Sequence, residues 1–176
     1  DPSFVAADLI AQAEHDPDAR AVFITSKMSL AREVAEEVAR QLPSTGPAAA
    51  SLWNHGGIIV TKTMDEAVAL ANDAASEHLV VDTEVRAGRI RNAGAIFIGP
   101  WTAQVAGDYA IGSNHTLPTA GMARVRGGLH TADFVKLVSV QRLTKAGLAS
   151  IADTVTTIAR AEGLEGHARS IDLRIA

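Results

Sequence analysis

The stretch GGIIVTKTMDEAVALANDAAS, residues 56–76, joins a short apolar run to an amphipathic segment. Its first part, GGIIVTK (56–62), is apolar and β-branched and predicts a strand. Its second part, residues 63–76, predicts a helix whose first turn is rich in Asp and Glu, where acidic side chains interact favourably with the helix dipole. A strand followed at once by a helix is the repeating unit of α/β proteins, so this stretch indicates the fold class.

The segments on either side of this stretch repeat the alternation. Upstream, the sequence predicts a helix from Asp1-Pro2-Ser3 to about His15, a strand over RAVFITS (20–26), an amphipathic helix over 28–42 and a loop over PSTGPAAAS (43–51). Downstream, it predicts a strand over HLVVDT (78–83), a short helix over 84–94 and a buried strand over AIFIG (95–99). We therefore expect an α/β fold with a mainly parallel, Rossmann-like sheet flanked by helices.

The last third of the chain follows a different pattern. Residues 100–130 are rich in Gly, Pro, Asn and His and have little periodicity, which is typical of functional loops. Residues 133–143 fit a strand or a helix, and 144–162 predict a helix with an apolar stripe that Glu162 continues, so we expect its carboxylate to face other protein. We expect an α/β segment over 1–130 and a helical C-terminal tail over 131–176.

The composition of the chain excludes several functional classes. Of 176 residues, 47% are hydrophobic and 20% charged, which favours a packed core over disorder. The net charge of −4 and the lack of a basic stripe argue against nucleic acid as a partner, and no apolar run is long enough to span a membrane. With no cysteine, a zinc site could use only His and oxygen ligands. Without a signal-peptide pattern, we expect a cytoplasmic protein.

Two polar pairs stand out in the first half of the chain. Gln12 and His15 lie three residues apart, on one face of the first predicted helix, with Asp8 on the same side. A histidine at a helix end also suits the helix dipole without any further role. Glu77 and His78 adjoin between a helix and a strand, where an acid and an imidazole could share acid–base work. Adjacent Glu-His pairs are also common by chance.

Two further clusters lie in the second half. The loop GDYAIGSNHTLPT (107–119) holds Asp108, Asn114 and His115, and is equally explained as a surface loop built from turn residues. In AEGLEGH (161–167), Gly163 and Gly166 are predicted to end the helix and His167 follows. His55 and His130 are interpreted as structural or surface residues. No GxGxxG motif and no Walker loop is present.

Six stretches, taken in this order, resemble the histidinol dehydrogenase family over nearly the whole chain: DLIAQAEHDP (8–17), ASEHL (75–79), NAGAIFIGP (92–100), GDYAIGSNHTLPT (107–119), GGLHTADFVKLVSVQ (127–141) and AEGLEGHARSIDLR (161–174). The likeness is to the C-terminal portion of the family. It implies a zinc enzyme that oxidises L-histidinol to L-histidine through the aldehyde, with two NAD molecules each accepting a hydride.

The resemblance also implies roles for individual residues. The zinc ligands would be Gln12, His15, Asp108 and His167, which would also contact the substrate. His78 would be the general base and bind substrate, and Glu77 would activate the water that hydrates the aldehyde. His115 and Glu162 would be substrate contacts, since a carboxylate suits the cationic amine of histidinol.

The resemblance implies a homodimer in which the tail crosses to the partner, so that Glu162 and His167 complete the neighbouring site. Two features depart from the family pattern. Ser76 stands where the family usually has Pro. The upstream half of the family is absent, and by the resemblance that half would carry most nucleotide contacts and a substrate-contacting serine. The sheet would then be incomplete, and we expect little NAD-dependent turnover from this segment alone.

Two other functions fit the same residues. One is a related zinc and NAD alcohol dehydrogenase that acts on another polar alcohol, such as a sulfonated diol. The other is a zinc-stabilised dimerisation module without catalysis, although such a module would have no need of Glu77 and His78. A panel of alcohol substrates would separate the two dehydrogenases, and the intact mass of the natural protein would test the third hypothesis.

Overall fold

Strands and helices alternate through the first of two units in the structure, a computed structural model that describes residues 1–176. The first unit, Asp1–Phe134, contains α1 (Pro2–Ala13), β1 (Val22–Thr25), α2 (Met28–Gln41), α3 (Ala48–His55), β2 (Gly57–Val60), α4 (Met64–Ala74), β3 (His78–Val81), α5 (Glu84–Ala87), β4 (Ala95–Ile98) and α6 (Ala106–Tyr109). The second unit, Val135–Ala176, contains α7 (Lys145–Ala161) and α8 (Glu165–Ile175).

The strands form two parallel pairs. Strand β1 pairs with β2, with Val22 opposite Gly57, and β3 pairs with β4, with His78 opposite Ala95. The predicted α/β class with parallel strands is therefore confirmed, although the strands make two separate pairs and not one sheet. Each pair leaves apolar side chains such as Ile59 and Ile96 more than a third exposed. In a wider sheet with both faces covered, such side chains would be buried; the two strand pairs alone leave them open to solvent.

Helix α1 is held at both ends. The Asp1 side chain accepts a hydrogen bond from the backbone N–H of Ser3 at 2.8 Å, and Pro2 occupies the first turn, where its missing N–H has no consequence. Near the other end, Ile10 and Ala13 join a buried core. Burial of this face fixes the last turn of α1, which carries Gln12.

Three local predictions were wrong. Helix α3 starts within the predicted loop 43–51, at Ala48, because Pro47 takes the N-cap and the alanines that follow are the strongest helix formers. Residues 135–143 are neither strand nor helix; only a 3-10 turn, Thr131–Phe134, lies at the start of that region. Gly163, at φ +74°, does end α7, but Gly166 lies within α8.

The two helices of the second unit pack through small side chains. The buried residues of α7 are Ala152, Thr156 and Ala159, and α8 contributes Ala168. The larger Ile151 and Ile158 of the predicted stripe are exposed, because small residues allow the two helices to approach each other and leave the bulky ones outside. Glu162, the C-cap of α7, is exposed as well. No helix of the structure has the length and apolar character needed to cross a membrane.

Candidate active site

The end of α1 presents Gln12 and His15 together. Gln12 lies in the last turn, and His15 directly follows the C-cap residue Glu14. The backbone N–H of His15 still donates to the carbonyl oxygen of Gln12 at 3.5 Å, which keeps the two residues adjacent. The amide oxygen Oε1 of Gln12 is buried and accepts no hydrogen bond.

His78 is the first residue of β3, at the amino end of the strand. Ligands in open α/β sheets usually gather at the carboxyl ends, so the pair Glu77 and His78 does not follow that rule. The imidazole lies against Phe97 of β4, with ring centroids 5.8 Å apart and the planes at 38°. Both ring nitrogens of His78 are buried without a hydrogen-bond partner. The imidazole is therefore held by packing and leaves both nitrogens free.

Asp108 of α6 faces two histidines at once. Its Oδ1 atom is 3.4 Å from Nε2 of His78, and its Oδ2 atom is 3.8 Å from Nε2 of His15. Neither approach forms a hydrogen bond, since His78 Nε2 and Asp108 Oδ2 both remain without partners. The carboxylate side chain is 11% exposed. One carboxylate thus connects the end of α1 with the start of β3.

Two of the predicted ligands, His15 and Asp108, have the spacing of metal ligands. Buried polar atoms nearly always have partners, yet Gln12 Oε1 and Asp108 Oδ2 have none. Two ligand atoms at the usual zinc distances in a tetrahedral site lie about 3.4 Å apart. The 3.8 Å between His15 Nε2 and Asp108 Oδ2 is close to that separation. The structure contains no preassembled group of three or more His, Asp or Glu ligands, so this chain offers a partial site.

The remaining predicted site residues are Glu77 and His115 in the first unit and Glu162 and His167 in the second. Glu77 is half-buried and its carbonyl oxygen accepts from the N–H of Ala95 at 2.8 Å. His115 is exposed. Glu162 and His167 are exposed within the second unit. The structure therefore brings together Gln12 with His15, and Asp108 with both His15 and His78. These four residues are called the Asp108 group below.

The two histidines interpreted as structural have local partners. His55 Nε2 lies 3.4 Å from Oδ1 of Asp18. His130 Nδ1 accepts a hydrogen bond from the backbone N–H of Ala132 at 3.1 Å, and the backbone N–H of His130 donates to Asp133 Oδ2. The pKa of the Asp133 carboxyl is lowered, and the largest cause is the hydrogen bond from the backbone N–H of His130. Both histidines thus have contacts outside the Asp108 group.

A cavity of about 570 Å³ adjoins the amino end of β4. Its polar lining includes Ser113, Asn114, His130 and Thr131, and Leu117 and Phe134 supply apolar walls. Its volume lies within the roughly 300–1,000 Å³ of small-molecule sites. Gly94 lies on its wall, where a Cβ atom would come within 2.6 Å of the Glu77 carbonyl oxygen. The chain can approach Glu77 this closely only because residue 94 is glycine.

Sequence reasoning missed three residues around Asp108. Gln104, four residues before Asp108, is 2% exposed and neither amide atom has a hydrogen-bond partner. Phe97 and Gly107 pack against each other beside the carboxylate. The spacing of Gln104 from Asp108 is a signal that could have been noticed; an apolar strand residue and a glycine carry no chemical signal.

Asp8, one turn before Gln12, is the remaining titratable group of this helix face. Burial raises the pKa of the Asp8 carboxyl above its ordinary value of 3.8. The low-dielectric surroundings disfavour its charged form. Asp8 therefore opposes folding electrostatically when it is ionised.

Comparison with known proteins identifies the family. The model of the family described as histidinol dehydrogenase matches residues 1–175. The histidinol dehydrogenases of Halalkalibacterium halodurans and Halobacterium salinarum are 47% and 48% identical to the chain over 99% of its length, which is 42% and 43% of theirs. The crystal structure of histidinol dehydrogenase from Elizabethkingia anophelis is 35% identical, with a TM-score of 0.89 over 99% of this chain and 42% of that one.

The chain therefore spans less than half the length of these relatives. The stretches that carry the Asp108 group lie within the matched residues. Agreement in sequence and in structure over nearly all of the chain shows that it belongs to the histidinol dehydrogenase family.

Proposed function

We propose that this chain carries part of the active site of a zinc enzyme that oxidises L-histidinol to L-histidine in histidine biosynthesis, through L-histidinaldehyde and with NAD as the hydride acceptor. The observation that supports this most directly is the position of Asp108, whose two carboxylate oxygens lie 3.4 Å from His78 and 3.8 Å from His15. A metal ligand and a general base beside each other are what the oxidation of a bound alcohol requires.

Gln12, His15, Asp108 and His167 would hold the zinc ion. The unpartnered oxygens of Gln12 and Asp108 support those two assignments. The 3.8 Å between His15 Nε2 and Asp108 Oδ2 supports the assignment of His15. A bound Zn²⁺ supplies positive charge that orients and polarises the alcohol and later the aldehyde. His167 lies in the second unit and completes the four ligands in this proposal.

His78 would accept the hydroxyl proton as hydride leaves the carbinol carbon for the nicotinamide. Neither ring nitrogen makes a hydrogen bond, so either nitrogen is available to take the proton. The carboxylate oxygen Oδ1 of Asp108 lies 3.4 Å from Nε2, so the proposed base lies beside a proposed metal ligand.

Glu77 would take a proton from the water that adds to the aldehyde. The hydrate that results has the C–H and O–H bonds needed for a second hydride transfer, so that the acid is the product. Glu77 adjoins His78 in the chain and is half-buried, and the cavity begins at its paired neighbours Gly94 and Ala95. The two roles divide hydration from alcohol oxidation between adjacent side chains.

His115 and Glu162 would bind the substrate, with the Glu162 carboxylate facing its cationic amine. His78 and the four proposed zinc ligands would also contact the substrate. Glu162 is exposed on its own unit, which leaves it available to a second protomer. The proposal includes a homodimer in which Glu162 and His167 complete the partner's site. In this proposal most nucleotide contacts come from outside these residues, as the resemblance to the family implies.

The test uses the longest natural polypeptide that contains these residues. We expect about one zinc per protomer and histidinol-dependent NAD reduction, as the four-ligand set implies. His78→Gln should retain zinc and lose turnover, His167→Ala should lose both, and His55→Ala, outside the Asp108 group, should retain both. Turnover of a sulfonated diol, with no turnover of histidinol, would favour the related dehydrogenase. Bound zinc without turnover of any alcohol would favour the dimerisation module.

A further inference from the structure

We propose that Phe97 is a positioning residue that holds the His78 imidazole and the Asp108 helix in register with each other; this inference rests on the proposed function. Phe97 lies on β4 and is 3% exposed. It contacts both halves of the pair without contributing a polar atom. Its role would be to set the separation between the proposed base and the carboxylate.

The first contact is with the imidazole. The rings of Phe97 and His78 have centroids 5.8 Å apart and planes inclined by 38°. No hydrogen bond holds either nitrogen of His78. The direction in which Nε2 points is therefore set by packing, and Phe97 is the aromatic ring in contact with this imidazole.

The second contact is with the helix that carries Asp108. A Cβ atom at Gly107 would lie 2.6 Å from Cζ and 2.8 Å from Cε1 of Phe97, so the ring edge lies directly against the backbone of α6. Helix α6 has only four residues, Ala106–Tyr109, and its N-cap residue makes no side-chain hydrogen bond. A single turn of this kind has little stability of its own, and contacts such as this one with Phe97 fix its position.

Both contacts act on one distance. Moving the Phe97 ring would shift the imidazole on one side and the residue before Asp108 on the other, and so alter the 3.4 Å between His78 Nε2 and Asp108 Oδ1. Residues that orient metal ligands and bases change metal affinity or activity by about 10–100-fold when altered. Phe97 should therefore influence zinc affinity and kcat without touching substrate or metal.

The experiment is a double-mutant cycle of Phe97→Leu and Gly107→Ala in the longest natural polypeptide. Gly107 has an ordinary helical backbone, so alanine there acts chiefly through the steric contact with Phe97; the next nearest atom, Ser113 Oγ, would lie 3.4 Å from the new methyl group. We expect each single variant to weaken zinc affinity about tenfold and to lower kcat more than it raises KM. Since leucine vacates the space that the new methyl group needs, the double variant should be no worse than the poorer single variant.

Val34→Ala is the control, because Val34 is fully buried on α2 and this helix carries none of the proposed site residues. It should lower thermal stability while leaving zinc affinity and kcat unchanged. The proposal is overturned if Phe97→Leu behaves like Val34→Ala in these two quantities, or if the two substitutions act independently and their effects multiply.

A third readout separates this inference from the proposed function. In metal-free protein, the ring current of Phe97 should displace the His78 imidazole proton resonances, and Phe97→Leu should shift them. Unchanged His78 resonances would refute the positioning role even if wild-type protein binds zinc and oxidises histidinol. Displaced resonances in a protein that does neither would retain the positioning role and refute the function.

Discussion

At the scale of single residues, Asp108 connects the two parts of the candidate site. Its carboxylate is nearly buried and lies beside two imidazoles without a full hydrogen bond to either. Such an arrangement is costly for an apoprotein, because a buried carboxylate needs compensating charge. It becomes favourable when a cation lies between the oxygen and His15.

Asp108→Asn should therefore abolish zinc binding while leaving the fold intact. The amide retains the size and one oxygen of the carboxylate but loses the charge, so the zinc dissociation constant should rise at least about 100-fold, the upper end of what outer-shell changes cause. Competition with a chelating dye measures it. Asp73→Asn, on the exposed face of α4, is the control and should bind zinc normally. Normal zinc binding by Asp108→Asn would remove this residue from the ligand set.

Asp8 gives a prediction about pH. Because burial raises its folded pKa above the ordinary 3.8, the folded state binds the proton more tightly than the unfolded state. Stability should fall as the pH rises from 3.8 through the raised value, and the loss should persist above it. Asp8→Asn should raise the free energy of unfolding at about pH 7 and have no such effect below the unfolded pKa. Urea titrations at several pH values measure this difference, and a stabilisation equal at all pH values would contradict the burial argument.

The sequence indicated the polar members of the site except Gln104, and none of the apolar ones. Gln12, His15, His78 and Asp108 stand out because amides, imidazoles and carboxylates have few structural reasons to lie beside apolar segments. Their convergence was not visible from spacing, since Asp108 is ninety-three positions beyond His15. Phe97 and Gly107 resemble ordinary strand and loop residues, and only the contact between them shows their importance.

At the scale of elements, the N-terminus of helix α4 is capped by two side chains, those of Thr63 and Glu66. Thr63 Oγ1 accepts from the N–H of Glu66 at 3.2 Å, and Glu66 Oε2 accepts from the N–H of Lys62 at 2.8 Å. Each bond satisfies a backbone donor at or next to the helix start, where donors lack partners within the helix. This cap stabilises the helix that precedes Glu77 and His78.

Thr63→Ala should lower the free energy of unfolding by about 1 kcal/mol, the usual loss when an N-cap hydroxyl is removed. Thr63→Ser keeps the hydroxyl and should retain most of that stability. Chemical denaturation with a helix-sensitive signal measures both variants. Equal destabilisation by alanine and serine would mean that the methyl group of Thr63, and not the cap, stabilises this end.

Helices with strong local signals were predicted to within a few residues. Those over 28–42, 63–76 and 144–162 correspond to α2, α4 and α7, because periodicity and caps are properties of the local sequence. The loop prediction at 43–51 failed where Pro47 caps a run of alanines, and Gly166 failed as a helix end because α8 starts at Glu165. Composition alone cannot distinguish a helix start from a loop.

At the scale of the whole molecule, the second unit exposes apolar residues that a stable monomer would bury. Leu137 is 94% exposed and Val140 is 91% exposed, in a segment without regular structure. Ile151 and Ile158 of α7 are also exposed. Exposed apolar side chains in this number suit a surface that other protein covers, and the proposed homodimer would supply such a cover.

A complementation experiment tests whether that partner shares the active site. Asp108→Asn lies in the first unit and His167→Ala in the second, and each variant alone should be inactive. If the tail of one protomer completes the site of the other, every mixed dimer has one site with both substitutions and one site with neither. Random assembly of equal amounts should then restore about a quarter of wild-type kcat per protomer, because half of the dimers are mixed.

The matched control combines Asp108→Asn with His78→Gln. Both substitutions lie in the first unit, so each site of a mixed dimer carries one of them wherever the tail is placed, and no activity should return. Recovery in the first mixture alone would mean that residues of two chains meet at each site. Failure of both mixtures, with mixed dimers demonstrated by differential tagging, would mean that each chain supplies its own His167, and the apolar surface of the second unit would then serve assembly without catalysis.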